Sequence, residues 1–389
     1  MSQRIGKNNT DNRRVNRGLI LNMIATGQCF TRSDLVRETG LSKMAISKIV
    51  AQMMDHDILR ESHVVRNEVP GRNPVGLSLS PNAPRVVGLS ILRDRCECVL
   101  CDLDLKVRKR VRTTFQVMTR EKLVQIIYDL LDTVLEGESH VISIGISSIG
   151  PINATTGMIL KPLYFFGIEN FKITSLVEER YHLPVFFDHD NQSALLAESL
   201  FGHAKGCYDV LYIGVSDGVG SGIITNRQLY SNCRGLLPEI GHVSIDIHGI
   251  PCQCGNRGCV EAYLRTPVLL HLLQEKTHTH LSYPAYCSME NDPVVDGIFT
   301  QAVHKLAAAA VNAVNILNSE LILLGNDCAY WPDRYVTQME QEINALRFAG
   351  WNQRIVVKKS FFLQDAPIFG AACNAIAPIF SGELVHIGT

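Results

Sequence analysis

Cys252-Gln-Cys254-Gly-Asn-Arg-Gly-Cys259-Val-Glu261 is the stretch of this chain that decides its fold, and a Gly-His pair ending at His242 lies ten residues before it. Three thiols and one imidazole make a complete soft-ligand set for tetrahedral zinc. Because four protein ligands leave no coordination position for water, the pattern predicts one structural zinc ion per chain. The predicted ligands are His242, Cys252, Cys254 and Cys259. The alternative is a group of buried apolar thiols or an accidental redox pair.

Two carboxylates flank this run, Glu239 on one side and Glu261 on the other. Folding the loop around one ion would bring both of them toward the same cleft. The metal is therefore expected to brace a site in which these carboxylates hold a ligand.

Length and composition indicate an ordinary globular protein of two or three domains, with 389 residues, 46% hydrophobic and 19% charged. No apolar run reaches the roughly 20 residues that a membrane helix needs. The polar start, MSQRIGKNNTDNRR, lacks the apolar segment of a signal peptide. We therefore expect a cytoplasmic protein with reduced cysteines and no membrane segment.

Charge is distributed unevenly along the chain. Residues 1–72 hold twelve Lys and Arg against seven Asp and Glu, whereas the remainder holds 25 against 31. A basic amino-terminal segment on a mildly acidic body predicts a polyanion-binding module joined to a body that binds something else.

The spacing of apolar residues over the first 55 positions predicts three helices. Residues 15–26 have helical periodicity, Thr31 is placed to cap a second helix, and Ser42 is placed to cap a third. In the third helix one face is apolar, and the opposite face would enter a DNA major groove, as in a helix-turn-helix. The predicted contacts are Ser42, Lys43, Met44, Ser47 and Lys48.

A hairpin should follow these helices, with strands at Ile58–Val65 and Val75–Leu79. It would form a wing carrying Arg66 and Arg72 at its tip, where guanidinium groups reach phosphate or a minor groove. The alternative is a small helical packing domain whose charges are merely solvated.

The rest of the chain alternates between strand and helix patterns, which predicts a mixed α/β body with a cleft between lobes. Two glycine-bearing turns, 148–151 and 216–222, follow predicted strands and are either phosphate-binding loops or tight turns. The predicted strands are Val86–Leu92, Cys96–Leu103, Val107–Thr114, Val141–Ser147, Val185–Phe187, Val210–Val215 and Leu321–Leu324. The predicted helices are Glu121–Leu135, Asn191–Phe201, Asp296–Leu317 and Pro367–Phe380.

With its zinc run, Glu-Ile-Gly-His segment and amino-terminal module, the chain resembles the ROK family of repressors, open reading frames and kinases. The match is to the branch with a winged helix-turn-helix ahead of a sugar-kinase-like body. This resemblance implies a two-lobed, actin-like ATPase fold with sugar bound between the lobes, and a homodimer or tetramer. It implies a DNA-binding domain with linker at 1–81 and a body at 82–389. Lobe one would be about 82–188 plus 366–389, and lobe two about 189–365.

The resemblance also implies a set of sugar-binding residues. Asp190 falls where the family's kinases have the aspartate that deprotonates the sugar hydroxyl, and His189 falls where they usually have asparagine. Glu239 and His242 match the family's Glu-Ile-Gly-His contacts, and Glu261 matches the carboxylate that ends the zinc run.

The kinases' ATP-binding elements are altered here. Their first strand ends in Asp-x-Gly-Gly-Thr, whereas this chain has Ser90-Ile-Leu92-Arg93-Asp94. Ser216-Asp217-Gly218 replaces a Gly-Thr-Gly turn, and Gly325-Asn326 replaces a Gly-Gly turn. These changes predict that ATP binding is lost, that sugar binding is retained, and that there are no catalytic residues.

Together these features predict a sugar-responsive transcriptional regulator, a repressor of genes for carbohydrate uptake or catabolism. Its partners would be double-stranded operator DNA, a sugar or sugar-phosphate effector, and further copies of itself. One alternative is a sugar kinase with a DNA-binding extension. Another is a protein-interaction scaffold whose sugar site is vestigial.

Overall fold

The structure is a computed structural model of the whole chain, and it describes residues 12–63, 75–231, 235–350 and 352–383. Three helices and a hairpin form the amino-terminal head of the protein. The hairpin strands pair in antiparallel fashion, with Leu59 opposite Leu79. The turn that was predicted to carry Arg66 and Arg72 lies outside the described residues. The elements of the head are α1 (Asn12–Ala25), α2 (Arg32–Thr39), α3 (Lys43–Asp55), β1 (Leu59–His63) and β2 (Val75–Leu79).

Side-chain caps set the ends of the second and third helices, as the sequence predicts. The Asp34 amide donates to Thr31 Oγ1 (3.1 Å), and the Ala45 amide donates to Ser42 Oγ (3.2 Å). Gly40 ends α2 in the left-handed conformation, with φ at 68°. The apolar face predicted for α3 is buried, and it comprises Ile46, Ile49, Val50 and Met53.

Two five-stranded sheets form the body. In the first sheet the strand order is β10-β6-β3-β4-β5, and β10, β6 and β3 run parallel. In the second the order is β13-β12-β11-β14-β15, and β11, β14 and β15 run parallel. The strands are β3 (Arg85–Ile91), β4 (Arg95–Asp102), β5 (Val107–Thr114), β6 (Val141–Ser148), β10 (Val185–His189), β11 (Val210–Val215), β12 (Val219–Thr225), β13 (Gln228–Leu229), β14 (Leu321–Asn326) and β15 (Val356–Lys359).

A three-stranded sheet and nine helices complete the described part of the body. The small sheet comprises β7 (Ile152–Asn153), β8 (Met158–Ile159) and β9 (Phe171–Lys172). The helices are α4 (Arg120–Leu135), α5 (Ile173–Tyr181), α6 (Asp190–Phe201), α7 (Val260–Leu264), α8 (Thr266–Thr277), α9 (Tyr283–Cys287), α10 (Pro293–Leu317), α11 (Asp333–Leu346) and α12 (Ala366–Ser381).

The interpretation of 216–222 as a single glycine loop was wrong. Only 216–218 forms a turn, and Val219–Thr225 is a strand that pairs with β11. Gly222 faces α6, because a Cβ added there would stand 2.6 Å from the Asn191 carbonyl oxygen. Gly220 and Gly222 therefore leave room for α6 to pack against the strand.

Helix α12 connects the head to the body. It packs on β3, β6 and α6, and Asn374 Nδ2 donates to Ile146 O (2.9 Å) and Ser193 Oγ (2.8 Å). At its far end α12 contacts α1, and Ile20 and Leu21 share a buried apolar cluster with Ile376 of α12. The head is thus packed against the body through the last helix of the chain.

Helix α10 is long and apolar enough to cross a membrane by length and composition. Its buried side chains, including Phe299, Val303 and Leu306, instead form the core beside the second sheet. A buried core helix meets the same criterion as a membrane span, so α10 is accounted for by packing.

Candidate functional site

A cavity of about 290 Å³ contains all five residues predicted to bind sugar. Residues of the first sheet and its loops line one side, and residues of the β11–β12 hairpin and the α7 region line the other. The cavity is therefore lined from both halves of the body. The five residues are His189, Asp190, Glu239, His242 and Glu261.

Each of these residues stands where an element begins or ends. His189 is the last residue of β10, and Asp190 is the first residue of α6. Glu239 precedes a short 3₁₀ turn that ends at His242, and Glu261 lies in the first turn of α7. Such positions give the side chains a fixed backbone while leaving their polar ends free for a ligand.

Three N–H groups converge on one oxygen of Asp190. The Asn191 amide (2.7 Å), Asn191 Nδ2 (2.8 Å) and His189 Nδ1 (3.0 Å) all lie within hydrogen-bonding distance of Asp190 Oδ1. The Asn191 amide also lies 3.3 Å from His189 Nδ1, but its bond to Asp190 Oδ1 is shorter, so we assign the proton on Nδ1 to the contact with Asp190. The carboxylate is thereby held in one orientation, and its Oδ2 has no hydrogen-bond donor among the described residues.

The surroundings of His189 favour its protonated form. Burial lowers its pKa, but the charge and hydrogen bond of Asp190, together with Glu239 and Asp188, outweigh that effect and raise the pKa to about 9. Loss of water around Glu239 raises the pKa of its carboxyl, and His189 and His242 offset part of that rise. The cavity floor thus pairs an imidazolium donor with carboxylate acceptors.

Four potential metal ligands gather on the wall of this cavity. One ligand atom from each of His242, Cys252, Cys254 and Cys259 lies within 4.8 Å of all the others. Cys252 Sγ is 3.7 Å from His242 Nδ1, and Cys254 Sγ is 3.7 Å from Cys259 Sγ. A tetrahedron with metal–sulfur bonds of about 2.3 Å has edges of about 3.8 Å. The cluster can therefore hold a metal ion, and its spacing is compatible with zinc.

The metal cluster is joined to the cleft through α7. Cys259 immediately precedes this helix, and Glu261 Oε2 accepts a hydrogen bond from the Val219 amide at the start of β12 (3.0 Å). His242 and Cys254 line the cavity themselves. Movement of the cysteine loop would consequently displace Glu261.

Four further polar residues of the cavity were not predicted as ligands: Arg93, Lys161, Asn191 and Ser216. Gly214 and Gly220 leave the space that the Asn191 side chain occupies, a relationship that only the folded structure shows. Arg93 was considered only as a change in the phosphate-binding hairpin. Lys161 follows a short strand and carried no sequence signal that we could use.

A family model described as the ROK family matches residues 86–377. The chain belongs to the ROK family. The xylose repressor of Bacillus subtilis (strain 168) is 27% identical over 370 residues, covering 94% of this chain and 95% of the repressor.

Two solved structures show that the chain has the mixed α/β, actin-like sugar-kinase fold of the ROK family. A ROK family transcriptional regulator, homologous to the Escherichia coli Mlc protein, has a TM-score of 0.80 and 23% identity, covering 96% of this chain and 98% of that one. A ROK family glucokinase from Streptomyces griseus, in complex with glucose and AMPPNP, has a TM-score of 0.64 and 21% identity, covering 75% of this chain and 99% of that one.

A second cavity of about 330 Å³ adjoins the first at Arg93, Ile149 and Ser216, which line both. The three segments predicted to replace the ATP-binding motifs of the ROK kinases all contribute residues to it. Its acidic residues are Asp94, Asp217 and Asp327, and burial raises the pKa of Asp327 to about 6. Arg93, Arg95 and Arg112 line the same cavity, so its lining carries charges of both signs.

The residues of this ROK protein predicted to contact DNA lie on the outer surface of the head. Ser42, Lys43, Met44, Ser47 and Lys48 are all exposed, and Met44 is 80% exposed. Ser42 also accepts the hydrogen bond that caps α3. The structure therefore brings these five together on one helix end, whereas Arg66 and Arg72 fall outside the described residues.

Proposed function

We propose that this protein is a sugar-responsive, DNA-binding transcriptional regulator that acts as a repressor in the cytoplasm. The observation that carries the proposal is the convergence of His189, Asp190, Glu239 and Glu261 on one cavity. Similarity to the xylose repressor supports the regulatory class.

The polar groups of the cavity suit a sugar ring. Asp190, Glu239 and Glu261 accept hydrogen bonds from hydroxyls, and the His189 imidazolium donates to a hydroxyl or ring oxygen. A buried site with fixed acceptors discriminates strongly against an analogue that lacks the matching hydroxyl, because its polar groups are then left unpaired.

The metal is structural zinc in this proposal. His242, Cys252, Cys254 and Cys259 would fill its four positions, so the ion would bind no substrate and activate no water. Its role is to fix the loop before α7, and through it the position of Glu261. One nitrogen of His242 would bind the metal, leaving the other for the sugar.

The DNA-binding module comprises residues 1–81, and the sugar-binding body comprises residues 82–389 with the lobe boundaries that the resemblance implies. In a homodimer or tetramer, two copies of α3 would enter successive major grooves of a near-palindromic operator. The exposed Lys43 and Lys48 supply positive charge on that face. Sugar that binds one lobe arrangement more tightly than another would change the spacing of the two heads.

Loss of kinase activity is part of the same proposal. Arg93 occupies the junction between the two cavities, and Asp94 and Asp217 line the side where phosphates would lie. With no phosphoryl donor in place, Asp190 would act as a hydrogen-bond acceptor and not as a catalytic base. The alternative, a sugar kinase with a DNA-binding extension, requires sugar-dependent ATP turnover.

The test measures operator binding against a sugar panel, using an operator selected from random DNA. The wild type should release the operator in response to one sugar. Asp190→Asn should shift that response to concentrations about ten- to a hundredfold higher, because a charged acceptor is lost. Affinity for the operator without sugar should not change, and Asp129→Asn, on the exposed face of α4, serves as the control.

Two results would overturn the proposal. If Asp190→Asn responds at the wild-type sugar concentration, the cavity is not the sensor. If the wild type turns over ATP in a sugar-dependent reaction that Asp190→Asn abolishes, the protein is a kinase.

A further inference from the structure

Arg93 lies where the two cavities of the body meet. It belongs to the tight turn between β3 and β4, in which the Leu92 amide donates to the Arg95 carbonyl (2.9 Å). Its side chain crosses toward the β11–β12 hairpin, because Nη1 and Nη2 lie 3.4 Å and 3.6 Å from the position of a Cβ built on Gly218. A ligand that extends from the sugar-binding cavity toward the second cavity must therefore pass this guanidinium.

Only one edge of the Arg93 guanidinium is occupied. Nε donates to the Leu163 carbonyl (3.0 Å), which fixes the direction of the side chain. Within the described ranges, neither Nη atom has a hydrogen-bond acceptor or an ion-pair partner. A half-buried guanidinium is thus held in place with two nitrogens facing a cavity, which is the arrangement that binds phosphate or carboxylate in bidentate fashion.

The charges around Arg93 favour an anion at this point. Lys161 lines the same cavity, with its side chain 81% exposed and a single ion pair to Glu169 (3.5 Å) among the described residues. The nearby carboxylates have other bonds: Glu261 accepts from the Val219 amide, and Asp190 accepts from His189. Arg93 partly offsets the burial that raises the pKa of Asp217 but forms no ion pair with it among the described residues, and Lys161 has only its exposed pair with Glu169.

We propose that the effector is an anionic monosaccharide, with its ring on Asp190, Glu239 and Glu261 and its phosphate ester or carboxylate group on Arg93. This inference rests on the proposed function and narrows its ligand class. Arg93 is the specificity-determining residue, and Lys161 adds attraction from the rim. Beyond Arg93 the second cavity is lined by carboxyl groups and by Arg95 and Arg112, and the inference places the anionic group only at the junction.

The experiment compares neutral and anionic forms of the same sugar by titration calorimetry on the full chain. The probes are glucose, glucose 6-phosphate and glucuronate, then xylose and xylose 5-phosphate, with inorganic phosphate alone as a further arm. Variants are Arg93→Gln, Lys161→Gln and the control Arg180→Gln, which removes an ion pair with Asp132 on the surface of the first lobe. Because Lys161 is exposed, its variant remains informative even where Arg93→Gln folds poorly.

The wild type should bind one anionic sugar more tightly than its neutral parent. Arg93→Gln should weaken the binding of that anionic sugar about ten- to a hundredfold. It should weaken the binding of the neutral parent less than about threefold. Lys161→Gln should weaken the binding of the anionic form only, by a few fold, and Arg180→Gln should change the affinity for neither form. A preference for the phosphate esters or for glucuronate would identify the source of the anion.

Three results overturn the inference. The first is equal affinity of the wild type for a neutral sugar and its anionic form. The second is an equal loss for both forms in Arg93→Gln, which would show that Arg93 closes the cleft without recognising charge. The third is binding of inorganic phosphate alone as tightly as the anionic sugar, which would show that the sugar ring contributes nothing to recognition. If a neutral sugar still controls operator binding through Asp190, only this inference fails; if no sugar of either form binds, the proposed function fails as well.

Discussion

Gly18 of α1 lies directly against the carbonyl group of Phe380 near the end of α12. A Cβ added at Gly18 would stand 2.5 Å from the Phe380 oxygen and 2.5 Å from the Gly382 nitrogen. Arg14 Nε, one turn earlier in α1, donates to the Gly382 carbonyl (3.2 Å). The head and the body thus meet backbone to backbone at a position that only glycine permits.

This contact continues a chain of packed elements that begins in the sugar-binding cavity. Asp190 starts α6, Ser193 of α6 accepts a hydrogen bond from Asn374 of α12, and α12 ends against α1. Motion of the cleft therefore has a continuous mechanical route to the head. Spatial continuity alone does not establish coupling, so the route has to be tested by mutation.

Gly18→Ala should destabilise the full chain by about 1–3 kcal/mol, because the added methyl group overpacks the junction. It should also reduce the effect of sugar on operator affinity. Gly297→Ala is the matched control, since Gly297 lies in α10 and a Cβ there meets no atom within 4 Å. That change should stabilise the protein by up to about 1 kcal/mol through helix propensity. Thermal unfolding of both variants provides the measurement; a stabilised Gly18→Ala protein would contradict the packing described.

Cys254→Ala should remove the metal and weaken sugar binding through the displaced Glu261. We expect one zinc per wild-type chain and much less than one in the variant, measured by elemental analysis of protein purified without chelator. Cys207→Ala, outside the cluster, should retain the metal. Wild-type protein free of zinc would refute the assignment. Unchanged sugar affinity in a metal-free variant would show that the metal does not support sugar binding.

Lys48→Ala should weaken operator binding and reduce the salt dependence by about one counterion if Lys48 contacts phosphate. Its side chain is exposed on α3, away from the buried face, so the fold of the head should not change. Lys276→Ala, on α8 of the body, is the control. Binding isotherms between low and moderate salt provide the slopes, and equal slopes for wild type and Lys48→Ala would place α3 away from the DNA backbone.

Local patterns were sufficient to predict most of the regular elements. The strand predicted at Val107–Thr114 has those bounds in the structure, and the helix predicted at Glu121–Leu135 begins one residue earlier. These elements are amphipathic or bounded by turn residues, so the periodic spacing of their apolar residues can be recognised in the sequence. The spacing of the metal ligands predicted that Glu239 and Glu261 approach one cleft, whereas the addition of His189 and Asp190 came from family resemblance.

Features that depend on contact between distant segments could not be predicted. Val219–Thr225 was misread because glycines in a strand look like a loop until α6 is placed against them. Arg93 was interpreted only as part of an altered ATP-binding hairpin. Its position between two cavities could not be predicted, because the cavities form only when the two halves of the body pack together. The docking of Gly18 on Phe380 joins residues more than 360 positions apart and has no local signature.

The charge of His189 provides the last prediction, a dependence of stability on pH. Its folded pKa of about 9 lies above the ordinary value of 6.5, so protonation favours the folded state. That stabilisation is complete below about pH 6.5 and is lost as the pH rises through about 9. Burial also raises the pKa of Asp188 to about 6, and its own titration is common to the two proteins compared. The measurement is urea unfolding of the wild type and His189→Asn at about pH 6.5 and about pH 9.5.

The wild type should be more stable than His189→Asn by about 1–3 kcal/mol at the lower pH, and the difference should shrink toward zero at the higher pH. His280→Asn, which removes an exposed imidazole after α8, should show no such change. Because the comparison is a difference between two proteins, titration of thiols common to both cancels. If the difference in unfolding free energy between the two proteins stays constant with pH, Asp190 and Glu239 do not stabilise a protonated His189. The hydrogen-bond donor assigned to the floor of the sugar-binding cavity would then be absent.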